Sequence, residues 1–534
     1  MDTRRRWKAR KVACEAAAAR TPTQPLGNPM SADARAKFRS AMSDVFTTRY
    51  SNQLGRQQQI NMAVLEFLST SGTSCNTAQG IFWIDDDDGK SWDPTSEEFL
   101  AFLASITHSP GGSNEWRSAV LGAAKTACLR PEVPLTRCVQ LSAIGDDGVL
   151  YVRRNDQTLF RVSGSGVSVV RNGSGGLVIQ AGDDFEPVLG DLKPSDEPLK
   201  WMREELAKWS VLRDFGSSEG SQLLSHTVAS LLLPPEMVGS HPLVTFLDPG
   251  GVTSETMARL VLNLVWGKHV EIQPPPDRYG QNGFETLLAG RCIFGISGAH
   301  AGADWLAPLL RALARRAVRT RRELFANKKL VSLPLGARVV LAADANPMST
   351  SPGDAAVLMP YWLAESSSTC PPPEAMEEWG EAVREQFYAD ALELFRRLAV
   401  RWGEKRMGRG IRGPTLFDDV LLRMSEGAGC SLVAASAHEV LDRARAELVV
   451  NNDQLAEALM EQILPFCGSA TGLLDILQVS RVPTKKYTRW DDWSADKVGT
   501  RLAEIAPAMA LTRGVRIKSA PRTAASRLWT IERM

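Results

Sequence analysis

Hydrophobic and polar residues follow two different periods in the first 200 residues of this chain, and each period predicts a type of element. Between residues 33 and 70 apolar residues recur every three or four positions, which is typical of amphipathic helices. From Val139 to Ile179 the period falls to two, and turn residues such as Asp147-Gly148 separate short apolar runs. We therefore predict a small antiparallel meander, because such runs are joined as hairpins in sequence. Its predicted strands are 149–152, 159–162, 167–170 and 177–179.

A buried strand followed by a glycine turn and an apolar helix marks the middle of the chain. The strand is predicted at 243–247, the turn at 248–251 and the helix at 257–266. Strand, turn and helix in this order form the setting of a phosphate-binding loop, whose pattern is G-x-x-x-x-G-K-[ST]. Gly251 is retained on that frame. The positions of the two pattern glycines, the Lys and the metal-binding hydroxyl are held by Asp248, Thr253, Ser254 and Glu255.

These replacements remove the chemistry of the loop. A phosphate-binding loop points backbone N–H groups and a Lys at the phosphates and places a hydroxyl on the metal. Here Ser254 replaces the Lys, while Asp248 and Glu255 add two carboxylates that repel a triphosphate. We therefore expect weak or no nucleotide binding and no resident cofactor. ATP and Mg²⁺ would be needed only if the divergent site is active.

Further segments follow the loop in a fixed order. An apolar strand at 292–296 precedes Asp304-Trp305-Leu306, then Arg322-Glu323-Leu324-Phe325, and then a second strand at 337–342. In this order the chain resembles the ATPase core of phage and mobile-element primase-helicase-like proteins, a branch near the superfamily 3 helicases in the AAA+ class. The resemblance covers roughly residues 75–534.

The resemblance implies an AAA+-like core, but its remaining catalytic positions have also changed. The position of the metal-binding carboxylate falls on Ser297, and that of the sensor Asn falls on Ala342. Loss of the Lys, both metal-site groups and the sensor together is hard to compensate. The resemblance therefore implies a catalytically dead ATPase fold.

The C-terminal residues 453–534 have the pattern of a second functional module. Two helical stretches and a helix N-capped by Ser494 precede two strands, at 515–518 and 527–531. Helices followed by a terminal hairpin are typical of a winged helix, and proteins of the same family often end in this way.

Basic residues concentrate in this module. From Arg481 to Met534 there are twelve Lys and Arg against five Asp and Glu, a net charge of +7, whereas the whole chain carries +1. Such a patch neutralises phosphates and gives salt-sensitive affinity that is mainly independent of sequence. We therefore predict DNA binding, with Lys497 and Arg501 on one face of a helix that enters the major groove. The predicted DNA-binding residues are Lys485, Lys486, Arg489, Lys497, Arg501, Arg516, Lys518, Arg522 and Arg527.

An arginine-rich segment at 311–322 follows the Asp-Trp-Leu motif. We predict it to be helical, with Arg315 and Arg319 one turn apart beside apolar leucines. In an AAA+-like ring this helix would face a neighbouring subunit or a central channel, so Arg315, Arg319 and Arg322 are candidates for that role. A solvated surface is the alternative.

Composition limits the class of protein. A chain of 534 residues with 44% hydrophobic and 23% charged residues is typical of a multidomain globular protein. Eight cysteines without a C-x-x-C pair and six scattered histidines give no zinc-ligand spacing, and Asp85–Asp88 predict a solvated hairpin tip. No apolar run approaches the ~20 residues of a membrane span, so we expect a cytoplasmic protein without a membrane partner.

These observations predict an α/β and α+β multidomain protein. The predicted domains are a disordered basic tail (1–30), an α+β domain with an antiparallel β meander (31–195), a degenerate P-loop AAA+-like core (196–366), a helical region with a basic linker (367–452) and a winged-helix DNA-binding domain (453–534). The predicted function is a pseudo-ATPase relative of primase-helicases that binds DNA and forms a homo-oligomer or joins an active ATPase. The alternatives are an active ATP-dependent DNA helicase with a divergent site, and a protein-assembly scaffold that does not bind DNA.

Overall fold

The structure, a computed structural model, shows a mixed α/β protein of more than one domain. The first of two compact units contains Met1–Ser195, Leu232–Met237 and Ala382–Lys405. The second contains Asp196–Leu231, Val238–Glu381 and Arg406–Met534. Residues 29–534 are described, with gaps at 50–52, 78–79, 108–113, 130–132, 134–135, 181–183, 210–211, 213–218, 240, 249–251, 278–279, 300–304, 323–329, 365–369, 402–415, 430, 452, 481–489 and 521–526.

Four helices of the first unit enclose an aromatic core around Trp83. They are α1 (Pro29–Thr47), α2 (Gln53–Ser71), α3 (Glu97–Thr107) and α4 (Asn114–Cys128). The Trp83 side chain is buried, and its Nε1 donates to the Leu68 carbonyl at 2.9 Å. The rings of Phe67 and Phe99 pack against it at centroid distances of 5.8 and 5.9 Å. The helical period predicted for residues 33–70 is confirmed.

Three small sheets complete the described part of the first unit. The first is antiparallel and contains β1 (Gly72–Thr77), β2 (Gly80–Asp85) and β3 (Ser91–Trp92). Another pairs β4 (Arg137–Val139) in parallel with β9 (Leu177–Ile179). The third is the meander of β5 (Ser142–Ile144), β6 (Leu150–Arg153), β7 (Thr158–Ser163) and β8 (Gly166–Arg171).

The meander contains three of its four predicted strands. The prediction that 177–179 continues it was wrong, because these residues form β9 and pair with β4 instead of β8. Gly173, Gly175 and Gly176 precede β9 with φ angles of 92°, 65° and 70°. Residues with a Cβ rarely adopt such angles, so the glycines allow a tight turn that takes the chain away from β8.

The acidic turn after β2 is only partly solvated, contrary to the prediction. Asp85 is buried, and its carboxylate accepts hydrogen bonds from Arg35 Nη2 at 2.7 Å and from the Asp87 N–H at 2.9 Å. Burial is the largest influence on this carboxyl group and raises its pKa. Asp85 therefore anchors the turn to α1.

A five-stranded parallel sheet forms the centre of the second unit. Its strands lie in the order β11 (Ile272–Gln273), β12 (Ile293–Ile296), β15 (Arg338–Ala343), β10 (Leu243–Leu247) and β16 (Leu358–Trp362). All residues of the four longer strands are buried, as expected when helices cover both faces of a parallel sheet. The carboxyl ends of these strands meet at one edge, which we call the carboxyl edge. Ligands of open parallel sheets bind at such an edge.

The helices that accompany this sheet are α5 (Lys200–Trp209), α6 (Glu219–Ser230), α8 (Val252–Val265), α9 (Gln281–Gly290), α10 (Leu306–Ala314), α11 (Pro352–Ala355), α13 (Leu416–Gly427) and α14 (Ser431–Val450). The short α7 (Pro235–Val238) precedes β10, and α12 (Pro373–Arg401) contributes residues to both units. Between α10 and β15 the chain forms a separate antiparallel hairpin of β13 (Val318–Arg322) and β14 (Leu330–Pro334).

The C-terminal module belongs to the second unit. It begins with α15 (Gln454–Ala458) and a π-helical turn at Leu459–Ile463. It continues with β17 (Phe466–Ser469), α16 (Ala470–Ser480), α17 (Ala495–Arg513), β18 (Val515–Ser519) and β19 (Leu528–Arg533). The three strands form an antiparallel sheet in the order β17-β19-β18. The predicted terminal hairpin is therefore present, and β17 joins it from before the two main helices.

Candidate functional sites

The loop after β10 brings a carboxylate to the N-terminus of α8. Asp248 is only 6% exposed, and its backbone N–H donates to the Ala343 carbonyl at 3.0 Å, which fixes it beside β15. Its Oδ2 accepts the N–H of Thr253, the second residue of α8, at 3.2 Å. Helix N-termini carry unsatisfied N–H groups and a partial positive charge, so they bind anions. At α8 the protein's own carboxylate accepts one of those N–H groups.

Of the other positions in the predicted loop, neither Ser254 nor Glu255 carries a positive charge. Ser254 is 1% exposed, and its side chain lies within the fold. Glu255 pairs with Arg259 one turn further along α8 at 2.8 Å, and Arg259 also pairs with Glu377 at 3.3 Å. The charge of Arg259 is therefore balanced by two carboxylates. Gly251 lies outside the described residues.

The positions expected to hold a metal and a sensor lie on β12 and β15. Ser297 directly follows β12, and its N–H donates to the Gln273 carbonyl at 3.1 Å. Ala342 is buried inside β15, paired with Phe246 of β10, one residue before the strand ends. Among the described residues, no group of three or more His, Cys, Asp or Glu is arranged to hold a metal ion.

The sequence pattern did not single out two polar residues at the carboxyl edge. β15 continues to Ala343, so the residues beyond its end are the exposed Asp344 and the buried Asn346. The amide of Asn346 donates to the Ser349 and Leu448 carbonyls at 3.3 Å each and accepts the Met348 N–H at 3.0 Å. Asn346 therefore holds the loop after β15 onto α14. The polar Asp344 after an apolar run was the signal that the strand ends there.

The prediction that 311–322 is one helix was wrong. Helix α10 ends at Ala314, and Arg316 adopts the left-handed conformation with a φ of 52°. The N–H of Ala317 bonds back to the Ala312 carbonyl at 2.8 Å, which satisfies an end carbonyl of the helix. The next residues include β-branched Val and Thr, which favour the strand β13 that forms there.

The arginines predicted to face a subunit interface or channel are therefore not on one helical face. Arg315 is exposed at the end of α10. Arg319 lies on β13, and its Nη1 forms an ion pair with the buried Glu285 of α9. Arg322 is the last residue of β13. Their role at an interface stays a prediction.

Several predicted DNA-binding side chains are exposed on the C-terminal module. Lys497 lies in the first turn of α17, with its Nζ 4.7 Å from the ring centroid of Trp493. Arg516 and Lys518 are exposed on β18, and Arg527 is exposed just before β19. Lys485, Lys486, Arg489 and Arg522 lie outside the described residues.

Arg501 differs from these residues because protein acceptors hold its guanidinium. Its side chain is 13% exposed, and Nε donates to Asp453 Oδ2 at 2.7 Å. Nη1 donates to Glu504 Oε2 at 2.6 Å, while Nη2 donates to the carbonyl and Oγ1 of Thr350 at 3.0 and 2.7 Å. Thr350 belongs to the loop after β15. This geometry favours a structural role, in which Arg501 joins α17 to the carboxyl edge.

A second arginine ties α17 to α14. Arg513 donates from Nη1 and Nη2 to the two carboxylate oxygens of Glu447 at 2.8 and 2.9 Å, and from Nη2 to Asn451 Oδ1 at 2.8 Å. Two-pronged contacts of this kind fix orientation as well as adding energy. Arg501 and Arg513 together hold the side of α17 that faces the rest of the second unit.

Comparisons with known proteins give little further information. No protein-family profile matches the chain, and no curated protein matches it. Among solved structures, the chain is similar to the A form apo structure of the NrS-1 C-terminal region, with 11% sequence identity and a TM-score of 0.37. The match covers 84% of this chain and 86% of that chain. None of the helices in the described residues is long and apolar enough to cross a membrane.

Proposed function

We propose that this protein is a catalytically inactive relative of mobile-element primase-helicases, with an AAA+-like core that does not bind nucleotide and a C-terminal winged helix that binds DNA. Its role is structural or regulatory, with DNA as one partner and a second copy of the chain or an active ATPase as another. The observation that carries the proposal is the contact between the Asp248 carboxylate and the N-terminus of α8.

The order of the central sheet supports an AAA+-like core. In ATPases of this class one strand lies between the P-loop strand and the strand that carries the metal-binding carboxylate. In this chain β15 lies between β10 and β12, and α8 follows β10 as the P-loop helix would. The degenerate positions Asp248 and Ser297 both follow strand ends at the carboxyl edge.

The charge at that edge supports loss of nucleotide binding. A bound phosphate would need the N–H groups that begin α8, and the Asp248 carboxylate already accepts one of them. A triphosphate would therefore meet a fixed negative charge of the protein. The first turn of α8, residues 252–255, contains an acid and no base. Within this first turn, therefore, no side chain takes the place of the Lys.

The arrangement of the C-terminal module supports DNA binding. Its strands and helices follow the order strand, helix, helix, strand, strand, with the first strand on the outside of the sheet beside the last. This order is typical of a winged helix. Its net charge of +7 from Arg481 to the C-terminus, within a chain of +1, concentrates phosphate attraction there.

Calorimetric titration of the full chain with ATP and Mg²⁺, together with a hydrolysis assay with and without DNA, tests the loss of nucleotide binding. We expect no binding at millimolar ATP and no hydrolysis, because the anion site is occupied and the cation is absent. DNA-stimulated hydrolysis that disappears in Ser254→Ala or Glu255→Ala would overturn this part of the proposal and establish an active helicase-like motor.

Fluorescence anisotropy with a labelled duplex tests DNA binding separately. We expect an affinity that falls steeply between about 50 and 200 mM salt, as for a protein that neutralises several phosphates. Failure to bind either duplex or single strand at the low end of that range would overturn DNA binding and favour the scaffold alternative.

A further inference from the structure

The sheet of the C-terminal module has one basic, solvent-facing side. Along β18 exposure alternates, so that Val515 and Ile517 are buried while Arg516 and Lys518 point outwards. Arg527 is exposed where the chain enters β19. We call the outward side of β18 and β19 the wing face. None of the ion pairs among the described residues involves Lys518 or Arg527.

The beginning of α17 has the opposite charge. Asp491, Asp492 and Asp496 are exposed at or just before its first turn. Lys497 is the one base in that turn, and Arg501 in the next turn is held by protein acceptors. Helices that read the major groove present their N-terminal residues to the DNA. Insertion of α17 by this end would bring three carboxylates towards the phosphates.

We propose that the C-terminal module binds the phosphate backbone of duplex DNA through the wing face, with α17 outside the groove. The inference rests on the proposed DNA binding and specifies its surface. Residues two apart on one side of a strand lie about 6.6 to 6.8 Å apart, which places two cations side by side facing the regularly spaced phosphates of a DNA strand. Arg516 and Lys518 have this spacing on β18.

Glu532 limits the strength of this surface. It lies opposite Arg516 across the β18–β19 pair, and its Oε1 is 3.8 Å from Arg516 Nη1. Both side chains are 47% exposed, so the pair is weak and DNA phosphate competes with the carboxylate for the arginine. Removing the carboxylate charge is therefore expected to strengthen binding, which a purely structural role for Arg516 does not predict.

Substitutions of exposed residues test the inference in the full chain, with anisotropy of a labelled duplex as the measurement. The double variant Arg516→Ala/Lys518→Ala is expected to bind at least roughly tenfold more weakly at about 0.1 M salt. Its slope of log affinity against log salt should fall by up to about 1.8, since each lost phosphate contact removes about 0.9. Glu532→Gln is expected to tighten binding roughly twofold to threefold. Lys497→Ala tests the competing prediction that α17 enters the groove, and with α17 outside the groove it should change affinity less than about twofold. Lys208→Ala, at an exposed lysine outside the C-terminal module, is the matched control and should leave the affinity unchanged.

The possible outcomes distinguish failure of the wing face as the binding surface from failure of the proposed DNA binding itself. If the wild type binds duplex while the double variant binds equally well, or if Lys497→Ala loses as much as the double variant, the wing face is not the site. Tighter binding to a single strand than to the duplex would overturn the choice of ligand. If the wild type binds no DNA at low salt, the proposed function itself fails. Thermal unfolding of each variant confirms that its fold is intact.

Discussion

The loop after β10 and the wing face are the two places where the proposed function involves phosphate, and their charged side chains have opposite surroundings. In the loop, Asp248 is almost fully buried and its carboxylate accepts a helix N–H that a phosphate would use. On the wing face, Lys518 is exposed, and Arg516 has only a weak partner at 3.8 Å. An anion site that the protein satisfies internally supports the fold, whereas unsatisfied cations on the surface are available to a ligand.

The same contrast separates arginines that lie close together in the sequence. Arg501 and Arg516 were both predicted to bind DNA, but the first is 13% exposed with three acceptor residues and the second is about half exposed with one. Charge count alone does not distinguish them. The groups around each guanidinium determine whether the arginine stabilises the fold or is available to a ligand. Substitution of Arg501 should therefore lower stability, whereas substitution of Arg516 should weaken DNA binding.

The largest expected effect is the loss of stability in Arg501→Ala. The substitution leaves Asp453, which is 6% exposed, without its cation and removes two hydrogen bonds to Thr350. Removing one partner of such an enclosed pair lowers the free energy of unfolding by about 3 kcal/mol. Urea denaturation measures this loss, and Lys497→Ala, on the exposed side of the same helix, should stay within about 0.5 kcal/mol.

Duplex binding by Arg501→Ala decides between the two roles. At a temperature where the variant is folded, a structural Arg501 predicts nearly unchanged affinity. A tenfold loss of DNA binding with unchanged stability would show that Arg501 contacts DNA, and the contrast with the wing face would then disappear. Arg501→Lys sharpens the test, because it keeps the charge and removes the planar fork.

Sequence patterns predicted the helices and strands of this chain better than they predicted the roles of individual side chains. Periodicity located α1, α2 and the buried strand β10, because each depends on which face of a local segment is apolar. The segment 311–322 failed, since its run of arginines masks a left-handed helix end at Arg316 and the strand that follows. A helix end of this kind depends on backbone conformation, which composition does not specify.

The surroundings of a basic side chain could not be predicted from the sequence for a different physical reason. The partners of Arg501 lie 48 and 151 residues away in sequence, on Asp453 and Thr350. The neighbour that weakens Arg516 is on the next strand. Such neighbours, distant in sequence, determine whether a basic side chain is buried with acceptors or exposed to solvent. The position of Asp248 beside the start of α8 could be predicted from the loop alone, because a carboxylate next to a helix start is a local feature.

Acidification is expected to lower the stability of the second unit by a similar amount. The group responsible lies in the core and not on the wing face. His226 of α6 is fully enclosed, with its Nδ1 2.9 Å from Ser425 Oγ, and burial, with a smaller contribution from Arg203, lowers its pKa to about 3. The unfolded chain binds a proton near the ordinary pKa of 6.5, whereas the folded chain stays neutral. The neutral His226 therefore makes its full contribution to the free energy of unfolding above pH 6.5. This contribution is lost progressively as the pH falls towards 3.

Unfolding free energies measured at several pH values test this expectation. Between neutral pH and about pH 4.5, His226 should account for roughly 2 to 3 kcal/mol of lost stability. His226→Asn keeps a polar atom near Ser425 and removes the titration, so its stability should fall less steeply over the same range. Equal slopes for wild type and variant would show that His226 does not remain neutral in the folded core.

The smallest effect concerns Asp248 itself. Asp248→Ala removes the carboxylate that accepts the Thr253 N–H at the start of α8, which should lower the free energy of unfolding by about 1 kcal/mol. The vacated N–H groups would then favour a bound anion, so inorganic pyrophosphate should raise the unfolding midpoint of the variant and leave that of the wild type unchanged. Asp248→Asn is the control, because its amide oxygen still accepts a hydrogen bond but carries no charge. If pyrophosphate stabilises the wild type as much as Asp248→Ala, the carboxylate does not fill the anion site. The loop and the wing face would then differ in degree of exposure and not in whether a ligand can bind.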